Sequence, residues 1–372
     1  MGSTFDRHDS PGMLDADDRL RGDMDASVSN DDMMRGEDAW CDASPLIDEG
    51  RLAPGDDPAA VAPTSPRFHM GRFVGWTFAL FGTLVLNLVI QVVVGGFGMG
   101  MVQGFSMELG ELPISEGNAF ALVLIFVQVV ILMVALPWWL RLRRRSLVPS
   151  HAPGSRPPAS KVLRSVAGLV LMGVGIQYLI GFVLTLLTLF IPEAIAEYEE
   201  LMEDAAIGVF SLLSVVSTVL FAPVVEEIFC RGIMFEFALR AVGASRPRDR
   251  ATSRVPVLSS AFWAANFMQA LAFGVLHMNG VQGGYAFILG LILGWVYWRT
   301  GNLWYPIALH FAVNGASFLV DPLAPVIDSL PVLPFLAVML LIFVWGLSIF
   351  RREWADPDDP SPSPSPLRAD GD

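Results

Sequence analysis

Charge is thinly spread over most of this 372-residue chain, where Asp, Glu, Lys and Arg together make up only 16%. Cysteine occurs twice, at Cys41 and Cys230, once in a polar terminal arm and once in an apolar run, so a disulfide framework is not expected. Lysine occurs once, at Lys161, although arginine is frequent. That bias is what a GC-rich, bacterial source would leave. Neither terminal segment is basic, which removes nucleic acid as an expected partner. No stretch repeats another, so a transporter built from duplicated halves has no support. No cleavable signal opens the chain; its first apolar stretch begins near Phe73 and is expected to act as a signal anchor.

Apolar residues are what the chain has in excess, at 53%, with 25 Phe and 10 Trp and a mean hydropathy of +0.52. Such a composition places the bulk of the chain in a bilayer. The net charge of −13 misleads if read globally, because residues 1–66 hold sixteen Asp and Glu against five Arg. This acidic arm lacks apolar periodicity and is expected to be disordered, as is the Ser-Pro-rich tail 355–372. A basic partner for the arm is the sharper alternative to simple solvation.

Eight apolar segments lie between the two ends, at roughly 73–96, 118–140, 163–191, 206–239, 257–277, 284–299, 303–320 and 332–350. The expected architecture is all-α, a polytopic membrane protein of about eight transmembrane helices around an intramembrane cavity. Its parts would be the arm 1–66, N-terminal membrane helices 67–205, a catalytic core 206–320, a last membrane helix 321–354, and the tail. Arginine marks alternate loops, notably Arg141 and Arg143 to Arg145, then Arg240 to Arg254, then Arg351 and Arg352. If all eight span, every basic cluster falls on one side and both termini are cytoplasmic. The fourth segment is too long for one simple span, and Pro223 is expected to end one helix and start another.

Inside that fourth segment stand Glu226 and Glu227, and a carboxylate in a membrane helix costs roughly 2.5–3.5 kcal/mol on insertion scales. Glu227 and Arg231 are i,i+4 and can pair on one helix face, while Glu226 is turned about 100° away. Phe273 and His277 repeat this spacing, and so do His310 and Asn314. A carboxylate can take a proton from water, and one member of a carboxylate pair can stay protonated while Arg231 holds the other anionic. Imidazoles can orient water, protonate a leaving group or bind a metal, and a carboxamide can stabilise an oxyanion. Glu226, His277 and His310 would make an adequate three-ligand set for a divalent metal such as Zn2+. The absence of a His-Glu-x-x-His pattern counts against an ordinary zinc protease. Plainer readings exist for each pair: an ion pair that fixes packing, a histidine ending a helix, an interhelical hydrogen bond.

Taken in order, Glu226-Glu227 with Arg231, Phe273 with His277, and His310 with Asn314 resemble the motifs of the CAAX protease and bacteriocin-processing family. These are intramembrane endopeptidases related to the Rce1-type enzyme. The resemblance spans roughly 206–318 and implies Glu226 as general base for water, assisted by His277. It implies Glu227 as a supporting carboxylate and His310 with Asn314 as the oxyanion site. It leaves metal dependence open. The partner expected is a peptide or protein substrate at the bilayer, a leader peptide, bacteriocin precursor or membrane regulator. Two other classes stay open: a non-proteolytic interaction protein, such as a bacteriocin self-immunity factor, and a proton-coupled transporter. One geometric demand follows, since simple spans would separate His277 and His310 by about 10–15 Å along the membrane normal. The site closes only if helices are offset, tilted or broken.

Overall fold

A computed structural model describes residues 69–109, 114–148, 157–204, 211–244, 258–327 and 329–355. The acidic arm, the Arg246-to-Arg254 cluster and all but the first residue of the Ser-Pro-rich tail lie outside the described residues. Among the described residues every regular element is helical. In chain order these are α1 (Met70–Leu109), α2 (Glu116–Leu142), α3 (Ala159–Leu187), α4 (Pro192–Asp204), α5 (Leu212–Ala241), α6 (Ser260–Leu276), α7 (Gly280–Thr300), α8 (Trp304–Ser317), α9 (Val320–Ile327) and α10 (Val332–Glu353). Within the described residues, each of the eight apolar segments is largely helical. Six of them, α1, α2, α3, α5, α7 and α10, are long and apolar enough to cross a membrane. The other two are shorter: α6 has 17 residues and α8 has 14. A 14-residue helix rises about 21 Å, less than the ~30 Å of a hydrocarbon core. The expected count of eight full spans thus becomes six long helices and two short ones.

Pro223 does not split the fourth segment. Leu212 to Ala241 form one helical run of 30 residues. The turn before the proline widens instead, as a π-helix over Val216–Phe221, where the Ala222 N–H donates to Ser217 O five residues back. A second π-helix, Ile228–Met234, follows the glutamates. Proline cannot donate, so the carbonyl five residues behind Pro223, that of Thr218, receives nothing from it. A wide turn lets the chain absorb the proline without a break.

The outward faces of these helices are apolar, and small residues let their backbones approach. α3 packs along α10 and α8. A Cβ on Gly168 would lie 2.9 Å from Gly346 O, and one on Gly346 would lie 2.5 Å from Gly168 O. The antiparallel pair is tied at one end by Arg164 Nε donating to Glu353 Oε1 at 2.5 Å and by Trp354 Nε1 donating to Ser165 Oγ at 3.0 Å. The basic ends of α1, α2 and α5 also meet. Buried Glu236 accepts from Arg240, from Ser146 Oγ at 2.9 Å and from the Leu147 N–H at 3.0 Å. Arg240 in turn donates to Arg145 O at 3.2 Å and lies 5.0 Å from the Trp76 ring.

α6 and α7 form a tight hairpin through His277, Met278 and Asn279. Met278 takes a left-handed φ of 54°, and the Asn279 side chain caps α7 by accepting from Val281 and Gln282 N–H. Between these helices Asn266 donates to Leu291 O at 3.0 Å, and Gln269 donates to Asn266 Oδ1 at 2.7 Å and to Gly290 O at 3.0 Å. A Cβ on Gly294 would lie 1.9 Å from Asn266 Oδ1. We therefore expect Gly294→Ala to destabilise the protein by about 1–3 kcal/mol through overpacking of this buried network. Thermal unfolding of the purified protein in detergent checks this, an unchanged midpoint being the contrary result.

Candidate active site

The second half of α5 carries both glutamates, and α6, α7 and α8 close around them. Glu227 and Arg231 are fully buried, with Arg231 Nη1 donating to Glu227 Oε1 at 3.0 Å. The guanidinium also donates through Nη2 to Gly290 O at 3.3 Å and lies 4.4 Å from the Phe273 ring centre. Gly290 O is the same carbonyl that Gln269 holds, so the α6–α7 polar network fixes the arginine from behind. A buried charge pair is tolerated only where such further hydrogen bonds satisfy it.

His310 of α8 reaches the other flank of Glu227, its Nδ1 3.0 Å from Oε1. A carboxylate oxygen can only accept, so Nδ1 bears the hydrogen of this contact and Nε2 is turned elsewhere. Nε2 lies 3.7 Å from Glu226 Oε2. Glu226 itself is 31% exposed, while Glu227 is at 0%. One helix thus holds two adjacent carboxylates in opposite circumstances, one clamped on both sides and one open.

His277 ends α6. Its Nδ1 lies 2.9 Å from Phe273 O, a carbonyl that accepts, which leaves Nε2 as the free ring nitrogen. Phe273 stands edge-on to both imidazoles, with ring centres 4.9 Å from His277 and 5.8 Å from His310. α6 and α8 are short, and one phenyl ring stands beside both of their histidines. Among the described residues, Glu226 and His277 are the only ionisable side chains lining a cavity of about 210 Å³ between α1, α2, α5, α6 and α7.

Asn314 departs from its expected place. Its Nδ2 donates to Thr218 O at 2.9 Å, the carbonyl left without a proline N–H, and it does not line the cavity beside Glu226. Among the described residues no group of three or more His, Cys, Asp or Glu side chains is gathered as a metal site would require. Glu226, His277 and His310 are therefore not assembled as a ligand set, because His277 stands across Phe273 from His310. The polar residues that sequence reasoning passed over are Asn87 and Gln91 of α1, Gln128 of α2 and Gln282 of α7, all lining the cavity. A signal was present: each interrupts an apolar helix, as the glutamates do.

The fold and this cluster define a multi-pass, all-α membrane protein with a buried carboxylate–imidazole centre. Residues 208–316, which carry all three motifs, match the family model described as type II CAAX prenyl endopeptidase Rce1-like. The match covers less than a third of the chain and leaves α1 to α4, α9 and α10 outside it. No curated protein and no solved structure matches the chain.

The buried pair supports a stability expectation. Arg231→Met should cost about 3–5 kcal/mol, because it strips buried Glu227 of its guanidinium and leaves only His310 beside it. The double variant Glu227→Gln with Arg231→Met should recover much of that loss. A double-mutant cycle on thermal midpoints measures the coupling, and additive losses would count against the pair.

Proposed function

We propose that this protein is an intramembrane endopeptidase of the CAAX-processing type that hydrolyses a peptide bond with water activated by Glu226. The observation that carries the reading is the contrast between the two glutamates. Glu227 is held by Arg231 and His310, whereas Glu226 faces a cavity it shares with His277.

In this mechanism Glu226 accepts a proton from water as the oxygen attacks the scissile carbonyl carbon. His277 accepts the second water hydrogen at Nε2 and so sets the direction of attack. His310, flanked by carboxylates at both ring nitrogens, presents an N–H to the oxyanion that develops. Glu226 then delivers its proton to the departing amide nitrogen, the tetrahedral intermediate collapses, and an amine and a carboxylate leave. Glu227 positions His310, and Arg231 in turn pairs with Glu227. Asn314 acts one step further out by holding the Thr218 carbonyl and with it the turn that leads into the glutamates. No step is routed through a metal.

The substrate in this reading is a leader peptide, bacteriocin precursor or membrane regulator of a bacterial cell. We place both termini in the cytoplasm on the distribution of arginine among the loops.

Glu226→Ala should lower cleavage by at least about 100-fold with the thermal midpoint retained, and His277→Ala should do likewise. Comparative proteomics of membranes from wild-type and Glu226→Ala cells should reveal a peptide whose processing stops. Identical membrane peptide profiles, with protection or partner binding retained in a Glu226→Gln variant, would favour the non-proteolytic interaction protein instead.

A further inference from the structure

The cavity beside Glu226 is walled on its far side by α1 and α2, which lie outside the segment matching the endopeptidase family. That wall is apolar except for carboxamides. Asn87 is buried, and its Oδ1 accepts from Gln91 Nε2 one helical turn on. Gln128, from the middle of α2, has its Oε1 buried without a hydrogen-bond partner. An unpaired buried carboxamide oxygen is costly, and costlier in a helix surrounded by Leu124, Val127 and Ile131.

The chemistry of this wall selects its ligand. An acyl chain has no hydrogen to give Gln128, and a charged head would meet no counter-charge among the α1 and α2 residues that line the cavity. A main-chain amide offers what the carboxamides lack, an N–H for an oxygen and a C=O for an NH2. A peptide unwound for cleavage inside a membrane must have those groups satisfied by the protein, because lipid cannot satisfy them.

We propose that Gln128, seconded by Asn87 and Gln91, binds the main chain of an extended peptide and holds it against Glu226. The inference rests on the hydrolytic reading of Glu226 and His277, and it adds the substrate's form: an unwound backbone, recognised by its amides. Gln128 is a substrate-binding residue, separate from the groups that move protons.

The test measures affinity without cleavage. The full chain in nanodiscs is titrated against a fluorescein-labelled hexapeptide of alanine and leucine, and against the same peptide with N-methylated backbone amides, with empty nanodiscs as the blank. Wild type should bind the N-methylated peptide about 10-fold more weakly, one neutral hydrogen bond and its orphaned acceptor being of that order. Gln128→Leu should weaken the parent peptide about as much and bring the two peptides within about 2-fold. Gln128→Met, close to glutamine in length, is the second variant should the leucine form fail to fold. Equal binding of the two peptides by wild type, undiminished discrimination in both variants, or no binding of either peptide would each overturn the proposal. Glu226→Ala should discriminate as wild type does. If it does so while membrane peptide profiles stay unchanged, the hydrolytic reading fails and the backbone site stands.

Discussion

The carboxylate of Glu227 is the point on which the interior depends. It is fully buried, and one of its oxygens takes both the Arg231 guanidinium and the His310 imidazole. A single atom therefore joins α5 to α8 and, through Arg231, to the Gly290 carbonyl of α7. Burying ionisable groups is unfavourable unless they find partners, and here these come from α5 itself, α7 and α8. The same constraint orients His310, so Nε2 faces Glu226.

Phe273 supplies the apolar complement of this polar knot. Its face receives the guanidinium and its surroundings receive the edges of two imidazoles. The aromatic ring fills the space between groups that would otherwise draw water inward, and its negative face suits a cation. It also spaces His277 from His310, so the two histidines attend to different sides of the centre. His277 belongs with the cavity and Glu226, while His310 belongs with Glu227.

Much of this was legible in the sequence. The apolar runs located eight of the ten described helices, missing α4 and α9, since a bilayer demands long uncharged stretches. The i,i+4 spacing of Glu227 and Arg231 foretold their pairing, because a helix allows little else to residues so placed. Other features were not legible, for physical reasons. The π turns leave no compositional mark, so Pro223 read as a break where the helix only widens. The partner of Asn314 depended on a carbonyl freed by that widening, which spacing cannot reveal. The shortness of α6 and α8 hid behind apolar loops that continue their hydrophobicity. Gln128 and Asn87 carried the right signal, a polar side chain in an apolar helix, but lacked the recognisable pattern that drew attention to the glutamates.

The two widened turns of α5 stand immediately before and shortly after the Ala222–Glu227 segment that bears the glutamates. Each turn advances the chain through more residues than an α turn does, and so resets the angular phase of everything beyond it. The ends of α5 and its middle are consequently in different rotational registers. Packing of the helix ends against α2 and α6 can then be optimised without dictating where Glu226 points. Loss of one residue from either turn would swing the Glu226 carboxylate by about 100° relative to the part of the helix beyond that turn. The direction in which Glu226 points is in this sense a property of helix phase.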